Sequence, residues 1–103
     1  MMQSRNLNIH YSSPTFVWEN LKEIYSSMPN WIGYHNGFPY WFGSCDDEKY
    51  LTISVEPSGL QLLGNIENDE FEEWFVILKE KATKALGYEI GELEEGYQFK
   101  FYK

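Results

Sequence analysis

Trp31-Ile-Gly-Tyr-His-Asn-Gly-Phe-Pro-Tyr-Trp-Phe42 sets six aromatic side chains around a central Asn36-Gly37 pair. A type I′ turn requires positive φ at both of its central residues, and Asn-Gly accepts that conformation best. The segment therefore predicts a β-hairpin with arms at 31–34 and 38–42, and with it an antiparallel sheet. Pro39 cannot donate a ladder hydrogen bond, so its arm is expected at a sheet edge or with the proline facing outward. If alternate rings point to opposite faces, Tyr34, Phe38, Tyr40 and Phe42 cannot all enter one core. Some of them should form an exposed aromatic patch of the kind that anchors a partner.

Toward the N-terminus, Leu7, Ile9 and Tyr11 alternate with Asn6, Asn8 and His10, which predicts an opening strand. Ser13-Pro14 is an N-cap and first-turn pair; Val17, Leu21, Ile24, Tyr25 and Met28 follow at helical spacing, giving a helix over 14–27. Toward the C-terminus, Leu51, Ile53 and Val55 alternate with Tyr50, Thr52 and Ser54. Pro57-Ser58-Gly59 then turns the chain back through 60–66, a second hairpin. Asp69, with Glu72 at the capping-box position, caps a helix whose stripe of Phe71, Trp74, Phe75, Leu78, Ala82, Ala85 and Leu86 ends at Gly87. Tyr97, Phe99 and Phe101 alternate and predict a short last strand. The order β-α-β-β-β-β-α-β implies an α+β domain: an antiparallel sheet of about five to six strands with two helices packed on one face.

The chain has 103 residues, enough for one domain spanning 1–103, and its 43% apolar and 18% aromatic content suits a packed core. No apolar run approaches the ~20 residues of a membrane helix, and the first residues lack the apolar stretch of a signal peptide. Cys45 is the single cysteine, which excludes an internal disulfide and suits a reducing compartment. A cytoplasmic monomer is expected, without a membrane role.

Charge is distributed unevenly. Residues 1–45 carry two acids and two bases, whereas residues 46–73 carry nine acids against Lys49 alone. If the fold brings 46–48 near the start of the second helix, one strongly negative region results. Such a region repels nucleic acid and steers basic protein surfaces toward it. Arg5 is the only arginine, so a cluster of guanidinium forks for phosphate cannot be assembled.

No catalytic constellation stands out. His10, His35 and Cys45 show none of the compact spacings of a metal site, and no cofactor is expected. Ser44 and Ser58 lack a nucleophile-elbow context, and Gly33, Gly37 and Gly43 are accounted for by strands and turns rather than a phosphate loop. Glu56, at a strand end before Pro57, is the acid with the most unusual position. A glycosidase-like site would need a second carboxyl about 5 to 9.5 Å away across a cleft.

Three segments, 31–43, Ile53-Ser-Val-Glu-Pro-Ser-Gly-Leu-Gln61 and Leu86-Gly-Tyr-Glu-Ile-Gly-Glu-Leu-Glu-Glu-Gly-Tyr97, together resemble the small acidic immunity proteins of bacterial polymorphic-toxin and contact-dependent growth-inhibition systems. The likeness covers most of the chain in size, element order and ending. It implies a cytoplasmic, non-enzymatic protein that binds and blocks one cognate toxin domain, often a nuclease with a basic cleft. On this reading Asp46, Asp47, Glu48, Asp69, Glu70, Glu72 and Glu73 supply charge, while Tyr34, Tyr40 or Trp41 supply anchors. Two other readings make different demands on the fold. A small-ligand or regulatory module would show a deep pocket lined by Trp31, Tyr34 and Trp41, and an enzyme would show a buried carboxylate pair in a cleft.

Overall fold

The computed structural model describes residues 1–101. Five strands, β1 (Met2–Leu7), β2 (Trp31–His35), β3 (Phe38–Trp41), β4 (Tyr50–Glu56) and β5 (Gly59–Asn65), form one antiparallel sheet in the order β1-β5-β4-β3-β2. Helices α1 (Thr15–Ser27) and α2 (Asn68–Leu86) cover one face, the α+β architecture expected. Asn36 and Gly37 take φ of 52° and 84°, the positive values a type I′ turn demands.

The register explains which residues enter the core. Trp41 pairs with Leu51, Leu51 with Gly64, and Ile53 with Leu62, so these side chains face the helices. Leu21 and Ile24 of α1 and Phe71, Trp74, Phe75 and Leu78 of α2 meet them in a single buried cluster. Fully burying an aliphatic or aromatic side chain contributes about 1.5–3 kcal/mol, so this cluster dominates the fold's stability. Each indole N–H in the helix layer finds a backbone carbonyl: Trp41 Nε1 donates to Tyr25 O at 3.0 Å, Trp74 Nε1 to Pro29 O at 3.2 Å and Trp18 Nε1 to Ser13 O at 3.0 Å.

Five features differ from the sequence reading. The opening strand ends at Leu7, where 7–11 was expected to alternate. Ile9 N donates to Leu7 O at 2.8 Å, a tight turn that breaks the extended chain, and Tyr11 is left exposed. The inward positions of β1 are Gln3, Arg5 and Leu7, so two of the three are polar and the strand shows no hydrophobic alternation. Gln3 is nevertheless buried because its Nε2 donates to Ile66 O at 3.2 Å.

Pro39 is neither outward-facing nor on an edge strand. It is buried within β3, and it is tolerated because β3 pairs with β4 only from Tyr40 onward. Helix α1 is N-capped by Pro14, while the Ser13 hydroxyl donates to His10 O at 2.6 Å instead of capping. Helix α2 begins two residues earlier than expected, at Asn68 after an N-cap at Glu67. No side-chain cap bond forms, and Asp69 lies inside the first turn rather than at the cap. Gly87 does close α2 in the left-handed conformation, at φ 79°.

The last difference is the C-terminal segment, which is not a strand at 97–101. It makes one 3₁₀ turn, Leu93–Glu95, and a single bridge from Glu92 to Leu7. Asn8, 1% exposed, holds it in place. Its Nδ2 donates to Glu89 O and Gln98 O at 2.9 Å each, its Oδ1 accepts from Gly91 N at 2.8 Å, and its carbonyl accepts from the Tyr88 hydroxyl at 2.9 Å. Gly91 is required there, since a Cβ would lie 2.3 Å from the Tyr97 ring.

Candidate functional site: an acidic end and an aromatic cleft

Antiparallel pairing places the end of β3, the start of β4, the end of β5 and the start of α2 at one end of the sheet. The loop 43–49 connecting β3 to β4 lies there. Phe42, just past β3, takes φ 71°, a conformation uncommon for a non-glycine residue, and its N–H donates to Asn30 O at 2.8 Å. Gly43 follows where no Cβ fits, because Lys49 O would stand 2.3 Å away. Asp47 then folds back so that one carboxylate oxygen, Oδ2, accepts from Ser44 N at 2.8 Å and Ser44 Oγ at 3.4 Å. Asn65 Nδ2 donates to Glu48 O at 2.6 Å, tying the loop to β5, and Asn65 Oδ1 accepts from the Met1 nitrogen at 2.6 Å.

Across a shallow depression from this loop stands the first turn of α2. Glu48, Lys49, Glu67 and Glu70 line the depression, and Glu70 and Glu73 continue toward Phe42 and Asn30. Lys49 Nζ lies 2.5 Å from Glu70 Oε2 and 5.0 Å from the centre of the Phe42 ring, bridging the two halves. An exposed pair of this kind contributes at most about 1 kcal/mol, so it orients the loop more than it stabilises the fold. Asp46, Asp47, Glu48, Glu67, Asp69 and Glu73 remain exposed. The α2 dipole favours those in its first turn. Among the described residues, no three His, Cys, Asp or Glu side chains converge as metal ligands would.

Of the seven expected acids, Glu48, Glu70 and Glu73 line the two depressions, Asp46, Asp47 and Asp69 lie exposed in the same loop and helix turn, and one is drawn away. Glu72 turns along the side of α2 to Arg5, whose Nη2 lies 3.2 Å from Glu72 Oε1 and whose Nε lies 3.7 Å from Glu92 Oε1. That carboxylate is neutralised away from the acidic end. Glu67 joins the group unannounced; its place just before Asn68 was the available signal, since a residue at an N-cap shares the first turn's surroundings.

The aromatic anchors need more correction. Trp41 is 0% exposed and packs edge-on against Tyr25 and Trp74 at 5.3 and 4.9 Å between ring centres, so it cannot touch a partner. It faces the helix layer because its register partner is Leu51. Tyr40 lies on the open face of the sheet, yet it is 7% exposed, covered by Tyr50 and His35 at ring-centre distances of 6.3 and 6.2 Å. Its phenol is raised above the ordinary range by burial first, then by Cys45. Tyr34 alone of the three stays open, at 51% exposed.

Tyr34 belongs to a different concavity, a cleft of ≈360 Å³ between α1 and the β2–β3 hairpin, lined also by Trp18, Lys22, Tyr25, Phe38 and Val55. Neither Trp31 nor Trp41 reaches it. Glu56, singled out as a possible catalytic acid, accepts from Ser54 Oγ at 2.8 Å. A groove between α2 and the C-terminal segment carries Lys79, Lys84, Glu89 and Glu95, charges of both signs. Among the described residues no helix is long and apolar enough to cross a membrane. Comparison of the chain with family models, with curated proteins and with solved structures finds no match.

Proposed function

We propose that this protein is a non-catalytic inhibitor that binds a basic toxin domain through its acidic end, in the manner of an immunity protein. One observation carries this reading: the pinned loop 43–49 sets Asp46, Asp47 and Glu48 beside Glu67, Asp69, Glu70 and Glu73, with Lys49 the only basic side chain among them. A surface of one sign raises the association rate with an oppositely charged cleft, and a loop already held by hydrogen bonds loses little entropy on binding. Phe42 and Asn30 border the acids, and Phe42 offers a partly exposed ring for the short-range part of the contact. The likeness of 31–43, 53–61 and 86–97 to immunity proteins supplies the class of partner.

Co-expression with the product of the adjacent gene tests the proposal. Growth rescue and a complex that co-purifies at low salt and dissociates more readily at high salt are expected. A harmless neighbour and no complex would contradict it.

A further inference from the structure

The cleft between α1 and the β2–β3 hairpin has no part in the inhibitor reading, because it lies away from loop 43–49 and uses different residues. Its volume of ≈360 Å³ falls in the range of small-molecule sites, roughly 300–1,000 Å³. Leu21 and Ile53 form its floor, and Trp18, Phe38, Pro39 and Val55 form its walls. Phe38 and Val55 are 46% and 48% exposed, so the walls present apolar surface that a ligand would cover.

Apart from Ser54, whose hydroxyl donates to Glu56, the polar side chains of the cleft share one chemistry. Tyr25 is 7% exposed, and among the described residues its hydroxyl makes no hydrogen bond; the hydroxyl oxygen itself stays accessible, so it can donate to a molecule in the cleft. Burial first, and then the neighbouring Tyr34, raise the Tyr25 phenol above its ordinary range, so it keeps its proton and remains a donor at neutral pH. Burial likewise raises Tyr34. Lys22 adds an ammonium that makes no ion pair among the described residues, and no carboxylate lines the cleft. Two phenolic donors and one cation therefore stand against apolar walls with no acceptor of full charge facing them.

We propose that this cleft binds a small aromatic monocarboxylate, its ring system between Trp18 and Pro39 and its carboxylate at Lys22, Tyr25 and Tyr34. A carboxylate offers about four acceptor positions, enough for these three donors. The molecule's overall negative charge opposes an anion only weakly here, because at physiological salt exposed charges are screened over about 8 Å. A donor in direct contact is not screened in this way. The apolar walls supply the burial and the donors supply the orientation, the usual division of labour in a ligand pocket.

The probe is 2-naphthoate, titrated into the ¹⁵N-labelled full chain and followed by amide shifts. Saturable shifts at Lys22, Tyr25, Tyr34, Phe38 and Val55 are expected, with a Kd on the order of 100 µM for a ligand of this size. Tyr25→Phe and Lys22→Met should each weaken binding about tenfold, and the neutral analogue 2-naphthalenemethanol should bind about tenfold more weakly to the parent. Tyr25→Phe breaks no native hydrogen bond, so its amide spectrum should stay folded. Lys22 is exposed, and Lys22→Met carries the test if Tyr25→Phe does not fold. Unsaturable or scattered shifts would overturn the proposal, as would variants that bind 2-naphthoate as tightly as the parent.

Discussion

The two ends of the sheet use polar residues in opposite ways. At the end where β1 gives way to α1, Asn8 is buried, and its side chain and backbone are hydrogen-bonded to Tyr88, Glu89, Gly91 and Gln98. At the other end, Asp46, Glu48, Glu67, Asp69 and Glu73 face water while the backbone beneath them is held by Asp47 and Asn65. A polar residue whose capacity is consumed internally holds the fold together. One whose backbone is fixed while its charge stays free can act on another molecule. Substitutions at the two ends should therefore separate stability from binding.

The largest effect is expected from Asn8→Ala. It leaves the buried Gly91 N–H and two part-buried carbonyls, those of Glu89 and Gln98, without their partner, which costs about 3 kcal/mol. Denaturant unfolding should show the loss, while the fraction that remains folded should bind the co-purified partner with unchanged affinity. Reversal of charge by Asp46→Lys with Glu73→Lys comes next. Neither side chain makes an intramolecular ion pair among the described residues, so stability should shift by less than about 0.5 kcal/mol. Partner affinity at low salt should fall about 100-fold, mainly through the association rate. If Asp46→Lys unfolds the protein, or Asn8→Ala abolishes binding by a stably folded chain, the contrast between the ends fails.

Asp47→Ala sharpens the contrast because Asp47 belongs to both roles. Its exposed carboxylate holds Ser44, so the loss should be about 1 kcal/mol in stability, with faster amide exchange at Ser44 and loop 43–49. The smallest effect concerns pH. Glu92 is raised above the ordinary carboxylate range, first by burial and then by Glu95, against the pull of Arg5 and Lys79. The native state thus holds this proton more tightly than the unfolded chain does, and stability falls as pH rises from the ordinary carboxylate value through the raised one. Denaturation midpoints across that interval should show the slope for the parent and lack it for Glu92→Gln.

How much of this was legible follows from the same physics. The β2–β3 hairpin was readable because Asn36-Gly37 encodes its turn locally, and α2 because its apolar stripe and Gly87 are local patterns. The acidic end was readable as a conditional: the acids were visible, but their meeting depended on the β3–β4 and β4–β5 pairings. β1 was misplaced because Gln3 and Arg5 occupy inward positions, their polarity matched by Ile66 O, Glu72 and Glu92, all far along the chain. The last strand was misread because alternation at Tyr97, Phe99 and Phe101 says nothing of Asn8, some ninety residues away, which captures the backbone first. Trp41 looked like an anchor until its register with Leu51 turned it inward. Lone residues that satisfy distant backbone groups leave no periodic trace.

The central claim is that the acidic end is the binding surface, and a shift map of the complex tests it most directly. The ¹⁵N-labelled chain would be titrated with the partner captured by co-expression, at low and at high ionic strength. The account predicts perturbations concentrated at residues 43–49 and 65–73, with affinity falling as salt rises. Perturbations centred on Asn8 and the C-terminal segment, or on the aromatic cleft, with affinity indifferent to salt, would contradict it.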